Sequence, residues 1–162
     1  MDSYDENVKI VHYIENKYET TGGKTYILAS SESYNEDIIR SYYMPDFRMR
    51  DMVYTANCID LRDGFPEQFF EAKYLIVVDP AQYHLSPESQ RIVGILSSAV
   101  LNQNQLGSYY NIENMEKDDQ GRTIYYLEKI KDIDNDAKIF LAEQFNKYYA
   151  EYKDLFENRI LK

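Results

Sequence analysis

The chain has 162 residues, 44% hydrophobic and 28% charged, enough apolar material for one folded domain with a real core. Its formal net charge of -10 excludes a nucleic-acid partner, because a phosphate backbone needs a concentrated Lys/Arg footprint, and it disfavours docking on an anionic membrane surface. The single cysteine, Cys58, has no partner for an internal disulfide, and no apolar run approaches the roughly 20 residues of a membrane span.

In chain order, the spacing predicts a first helix over 3–19. Tyr4, Val8, Val11, Ile14 and Tyr18 recur at three- and four-residue steps, and Thr21-Gly22-Gly23 stops it. "KTYILAS" (24–30) reads as a short buried strand. Ser33, Asn35 and Glu36 open a second helix reaching about Tyr43, which Pro45 ends. "MVYTANCI" (52–59) reads as a second strand, diluted by Ala56 and Asn57, and 63–72 as a short helix with Pro66 in its first turn. "KYLIVVD" (73–79) is the clearest strand.

Ser86-Pro87-Glu88 has the form of a helix start, with Ser86 as N-cap and Pro87 at the first helical position. The helix that follows is apolar around most of its circumference. A hairpin comes next, turning at Asp118, Asp119 and Gly121. A long last helix spans 135–161. In it Leu141, Phe145, Tyr148, Tyr152 and Leu155 fall at a/d-like spacing, a stripe that either packs on its own sheet or pairs helices between chains. The expected fold is a single α/β domain over 1–162. It is a three-layer sandwich whose mostly parallel central sheet carries an antiparallel hairpin at one edge and a long C-terminal helix.

Ligands of open α/β sheets bind beyond the carboxyl ends of strands. Asp79, Gln82, Tyr83 and His84 leave such an end and form the candidate ligand-binding group. A carboxylate and an imidazole there have the chemistry to position a hydroxyl or move a proton. The plainer alternative is that Asp79 caps a turn and His84 satisfies backbone groups before the next helix. No catalytic residue is assigned. The seventeen tyrosines scatter over every element, so they mark no sugar-stacking surface by themselves.

Signals for a nucleotide or methyl-donor cofactor are missing, because Gly22-Gly23 precedes a strand rather than following one. His12 and His84 are too few for zinc unless carboxylates complete the set. The most metal-like pattern is "DIDNDAKIFLAE". Asp132, Asp134, Asp136 and Glu143 stand at the first, third, fifth and twelfth places of a calcium loop. Ala137 occupies the place where glycine makes the sharp turn, and a strand precedes the pattern instead of a helix. The favoured reading is an acidic helix N-terminus in which one carboxylate caps. No cofactor is expected, calcium being the lesser alternative.

The run "AKYLIVVDPAQYHLSPESQRIVGILSSAVLNQNQLGSYY" (72–110) contains Asp79-Pro80, Gln82, His84-Leu85, Pro87-Glu88, Gln90-Arg91 and Gly94, and ends in Leu106-Gly107 and Tyr109-Tyr110. It resembles a segment near the C-terminus of bacterial polytopic membrane glycosyltransferases of the protein O-mannosyltransferase and lipid-A aminoarabinose transferase class, which use lipid-phosphate sugar donors. The resemblance covers about 40 residues and implies an accessory domain on the extracytoplasmic face. Its partners would be the membrane-embedded part of the same protein and a carbohydrate or lipid-linked sugar. Chemistry in that class sits in the membrane part, so no catalytic residue carries over, and Met1 would not be the natural start. The alternative is a free-standing, cytoplasmic α/β enzyme or small-ligand-binding protein with its crevice at the end of strand 73–79.

Overall fold

The computed structural model describes residues 3–162. Its elements run α1 (Tyr4–Thr21), β1 (Thr25–Leu28), α2 (Glu36–Arg40), α3 (Asp60–Asp63), α4 (Gln68–Glu71), β2 (Tyr74–Asp79), α5 (Arg91–Leu101), β3 (Tyr110–Lys117), β4 (Thr123–Lys129), α6 (Asn135–Tyr149) and α7 (Glu157–Ile160). The strands form one open sheet in the order β1-β2-β4-β3. Among these residues no helix is long and apolar enough to cross a membrane.

Strand β2 organises both cores. Leu75 and Val77 join one apolar cluster, built with α5, α6 and α7; Ile76 and Val78 join the other, built with α1 and α2. All four side chains are fully buried, each burial stabilising the fold by about 2 kcal/mol. That double burial explains why the strand reads as a continuous apolar run instead of an alternating one. Helix α1 turns Ile10, Val11 and Ile14 inward and ends at Gly22, whose positive φ lets its N–H reach the Tyr18 carbonyl at 2.8 Å.

The sheet corrects the expected one. Only β1 and β2 pair in parallel; β2–β4 and β3–β4 are antiparallel, so the sheet is mostly antiparallel. The predicted strand 52–59 is not formed. Val53 makes one bridge to Thr25, and then the chain leaves the sheet. Asn57 shows why: its side-chain amide donates to the Asp63 and Gly64 carbonyls, holding a loop together in place of extending a ladder. The predicted hairpin is present at one edge. Its apolar strand β4 lies against β2, and its polar strand β3 is outermost, with a register shift between Ile112 and Asn114.

Three helices are shorter than the pattern suggested. The one expected over 63–72 reduces to α4, Gln68–Glu71. Helix α2 covers five residues, with the Asn35 side chain capping the Ile38 N–H. The long C-terminal helix breaks after Tyr149. Phe156 folds back to stack on Tyr149 and Phe145, at 4.6 and 5.1 Å between ring centroids. A straight helix would carry Phe156 and Ile160 past the core that buries them. The turn docks where Phe65 N–H meets the Leu155 carbonyl at 2.8 Å, beside Gly64, where a Cβ would come within 2.9 Å of that same oxygen. In consequence the Leu141–Leu155 stripe is divided: Leu141 and Phe145 are buried, whereas Tyr148 and Tyr152 are exposed.

Candidate functional site

Parallel strands β1 and β2 end side by side, and the Ser30 N–H donates to the Gln82 carbonyl at 3.0 Å across the gap. Between β2 and α5 the chain crosses from Pro80 to Gln90. Gln90 is fully buried and organises this crossover. Its Oε1 accepts the backbone N–H groups of His84 and Leu85, both at 3.0 Å, and its Nε2 donates to Ser30 Oγ at 3.1 Å. A buried amide is well suited to this, since one side chain supplies both an acceptor and donors.

His84 Nδ1 lies 2.8 Å from the Ser30 carbonyl and 2.8 Å from Ser30 Oγ. The Ser30 carbonyl can only accept and calls for a proton on Nδ1, whereas the Gln90 amide 3.2 Å away can only donate and calls for a lone pair there. In either tautomer Nε2 is the ring nitrogen left toward the cleft. Cys58 and His84 line a cleft of about 240 Å³ together with Glu36 and the residues following β1. Burial pushes the Cys58 thiol up, and the Ser30 hydroxyl only partly offsets that, so this is not an activated nucleophile. Burial likewise raises the Glu36 carboxyl.

Helix α5 is not capped by Ser86, which makes no side-chain capping bond. Pro87–Ser89 form a single 3-10 turn and the helix proper starts at Arg91. Its cap comes from elsewhere in the chain. Asp60, itself buried, accepts the N–H groups of Arg91 at 2.8 Å and Ile92 at 3.0 Å, and the Tyr149 hydroxyl donates to the same carboxylate. Sequence reasoning missed Asp60 because nothing local distinguishes it. A helix taken to start at Ser86 already has Glu88 in its first turn; that α5 starts at Arg91 with no acid in its own first turn emerges only from the structure. Asp60 and Arg91 also border a cleft of about 320 Å³ next to Tyr148, whose ring faces the Arg91 guanidinium at 4.0 Å.

The four predicted ligand residues do not form one group. His84 lines the cleft beside Cys58. Asp79 and Tyr83 line a separate cleft of about 550 Å³, walled by Ser97 and Ser98 of α5, Asn102 and Gln103 after it, and Tyr125 of β4. Gln82 closes on its own loop, donating to the Pro80 carbonyl at 2.6 Å. Tyr83 reaches over α5 at Gly94, where a Cβ would come within 2.4 Å of its hydroxyl.

The calcium pattern is also separated. Asp134 caps α6, accepting the Ala137 N–H at 2.9 Å and the Tyr109 hydroxyl at 2.6 Å. Because the helix starts at Asn135, Asp136 and Glu143 ride on it, with Glu143 exposed about two turns further along; no twelve-residue loop forms to bring them to Asp132. Among the described residues no three His, Cys, Asp or Glu side chains gather closely enough to hold a metal ion.

Compared with known proteins, the chain matches no family model, no curated protein and no solved structure.

Proposed function

We propose that this chain is an accessory, non-catalytic extracytoplasmic domain of a bacterial membrane glycosyltransferase that uses a lipid-phosphate sugar donor. It supports donor or acceptor binding next to the membrane-embedded part. One observation carries the reading: the residues that make the run 72–110 resemble that class are the ones on which the β2–α5 crossover depends. Gln90 holds His84 and Leu85, Arg91 opens α5 on Asp60, and Gly94 makes room for Tyr83. Gly107 sits where a Cβ would come within 2.7 Å of the Asn102 backbone. Residues that serve the architecture fit a supporting domain better than a reaction centre. Ser30 Oγ and His84 Nδ1 agree with this, since they are engaged with each other and Ser30 Oγ accepts from Gln90.

The test is to read the gene upstream of the Met1 codon. A continuous frame encoding many apolar segments supports the proposal. A stop codon and ribosome-binding site immediately upstream would overturn it. The second reading, a free-standing small-ligand-binding protein or enzyme, is favoured by the size of the cleft at Asp79 and Tyr83, about 550 Å³, within the roughly 300–1,000 Å³ of ordinary ligand sites.

A further inference from the structure

We infer that the cleft between the end of β2, helix α5 and β4 binds an uncharged sugar ring. This deepens the accessory-domain reading and rests on it for the origin of the sugar. The argument starts from Ser97. Ser97 is among the residues that line the cleft, it is 4% exposed, and its hydroxyl is buried with no hydrogen-bond partner. A buried hydroxyl left unpaired is costly, and a turn of the Ser97 side chain about its single χ1 toward the cleft would give a ligand a group to satisfy.

The rest of the lining suits a polyol. Asp79, exposed at the strand end, offers two acceptor oxygens for a pair of adjacent hydroxyls, and the Gln103 amide both donates and accepts. Tyr83 and Tyr125 supply ring surface for the apolar C–H face of a pyranose. The same lining disfavours a phosphate. It contains no Lys or Arg, and Asp79 is its one carboxylate. The positive end of α5, which otherwise attracts anions, is already occupied by the Asp60 carboxylate. If the ligand belongs to a lipid-phosphate sugar, the cleft takes the sugar and leaves the phosphate outside.

Gly94 makes the wall possible. With any larger residue there, the Tyr83 hydroxyl would have to move away from α5.

The experiment is an NMR titration of the isotope-labelled chain with mannose, glucose and N-acetylglucosamine as neutral probes, and mannose 1-phosphate as the anionic one. The expected result is saturable shifts at Asp79, Tyr83, Ser97, Gln103 and Tyr125 with at least one neutral sugar, and weaker binding of its phosphate ester. Asp79→Ala and Gln103→Ala change exposed residues and keep the fold, and each should weaken binding about tenfold through a lost hydrogen-bonding group. Ser97→Ala should weaken binding without lowering the melting temperature, because in the free protein it removes an unpaired hydroxyl. Three outcomes overturn the proposal: no localised shift with any neutral sugar, tighter binding of the phosphate ester, or a stabilised Ser97→Ala variant with unchanged binding. None of them bears on the upstream reading frame, so the accessory-domain reading stands or falls separately.

Discussion

Tyr83 and His84 are adjacent, yet they belong to two differently built sides of the same crossover. On the His84 side the polar atoms answer one another: Gln90 to the His84 and Leu85 amides and to Ser30, and His84 to the Ser30 carbonyl. Asp60 completes that side by capping α5. On the Tyr83 side the cleft wall includes a buried hydroxyl without a partner and an exposed strand-end carboxylate. The difference teaches where to look for a ligand. A histidine draws attention in a sequence, but His84 Nδ1 is taken up inside the crossover and only Nε2 is left to a ligand, whereas the Tyr83 side combines a carboxylate, two aromatic rings and unmet hydrogen-bonding capacity.

Breaking the internally bonded side should have the largest effect. Asp60→Ala leaves two backbone N–H groups at the start of α5 without their acceptor and the Tyr149 hydroxyl with only the Glu88 carbonyl, 3.2 Å away. It should cost about 3–4 kcal/mol in denaturant unfolding. Gln90→Ala strands the His84 and Leu85 amides and should cost about 2 kcal/mol; Gln90→Glu keeps the acceptor and should recover part of that. If either alanine variant is as stable as the parent, the division into a structural side and an open side fails.

A third prediction uses pH on a carboxylate remote from both sides. Asp118, in the hairpin turn, is buried, which alone would raise its carboxyl. Hydrogen bonds from Tyr34 at 2.8 Å and from Arg122 outweigh that and hold it below the ordinary carboxylate range. The folded-state value is therefore depressed. Its stabilisation is fully present above about pH 4 and is lost as pH falls through the folded value. Asp118→Asn should flatten the acid limb of a plot of stability against pH. An unchanged acid limb would assign that limb to other carboxylates.

The smallest effect sharpens the comparison most. Gly94→Ala gains up to about 1 kcal/mol of helix propensity and must displace the Tyr83 hydroxyl, so its net stability change should stay within about 1 kcal/mol. NMR shifts should change around Tyr83 and Ser97 but not around Ser30 or Gln90. Equal changes on both sides would mean that the two clefts are mechanically one.

What the sequence alone determined here was local. The apolar run 74–78, short and mostly β-branched or aromatic, reads as a strand buried on both faces, and all five side chains are buried. Helix α1 and the glycine that ends it could be read directly, as could the turn chemistry of the hairpin, although of the expected α1 stripe only Val11 and Ile14 are buried, with Ile10 beside them and Tyr4 exposed. So could an acidic cap at the start of α6; the structure is what singles out Asp134, which accepts from Ala137 three residues away. The tertiary structure decided everything that depends on residues far apart in the chain. It placed β4 beside β2 and so made the sheet mostly antiparallel, and it released 54–59 into a loop through Asn57. It bent the last helix because Phe156 has a stacking site on α6. It sent the cap of α5 from Asp60, about thirty residues upstream, and turned Tyr83 and His84 into different clefts. Periodicity and capping act within a turn or two of chain, so they leave a mark in the sequence. A hydrogen bond or ring stack between distant segments forms only once the cores have brought its partners together.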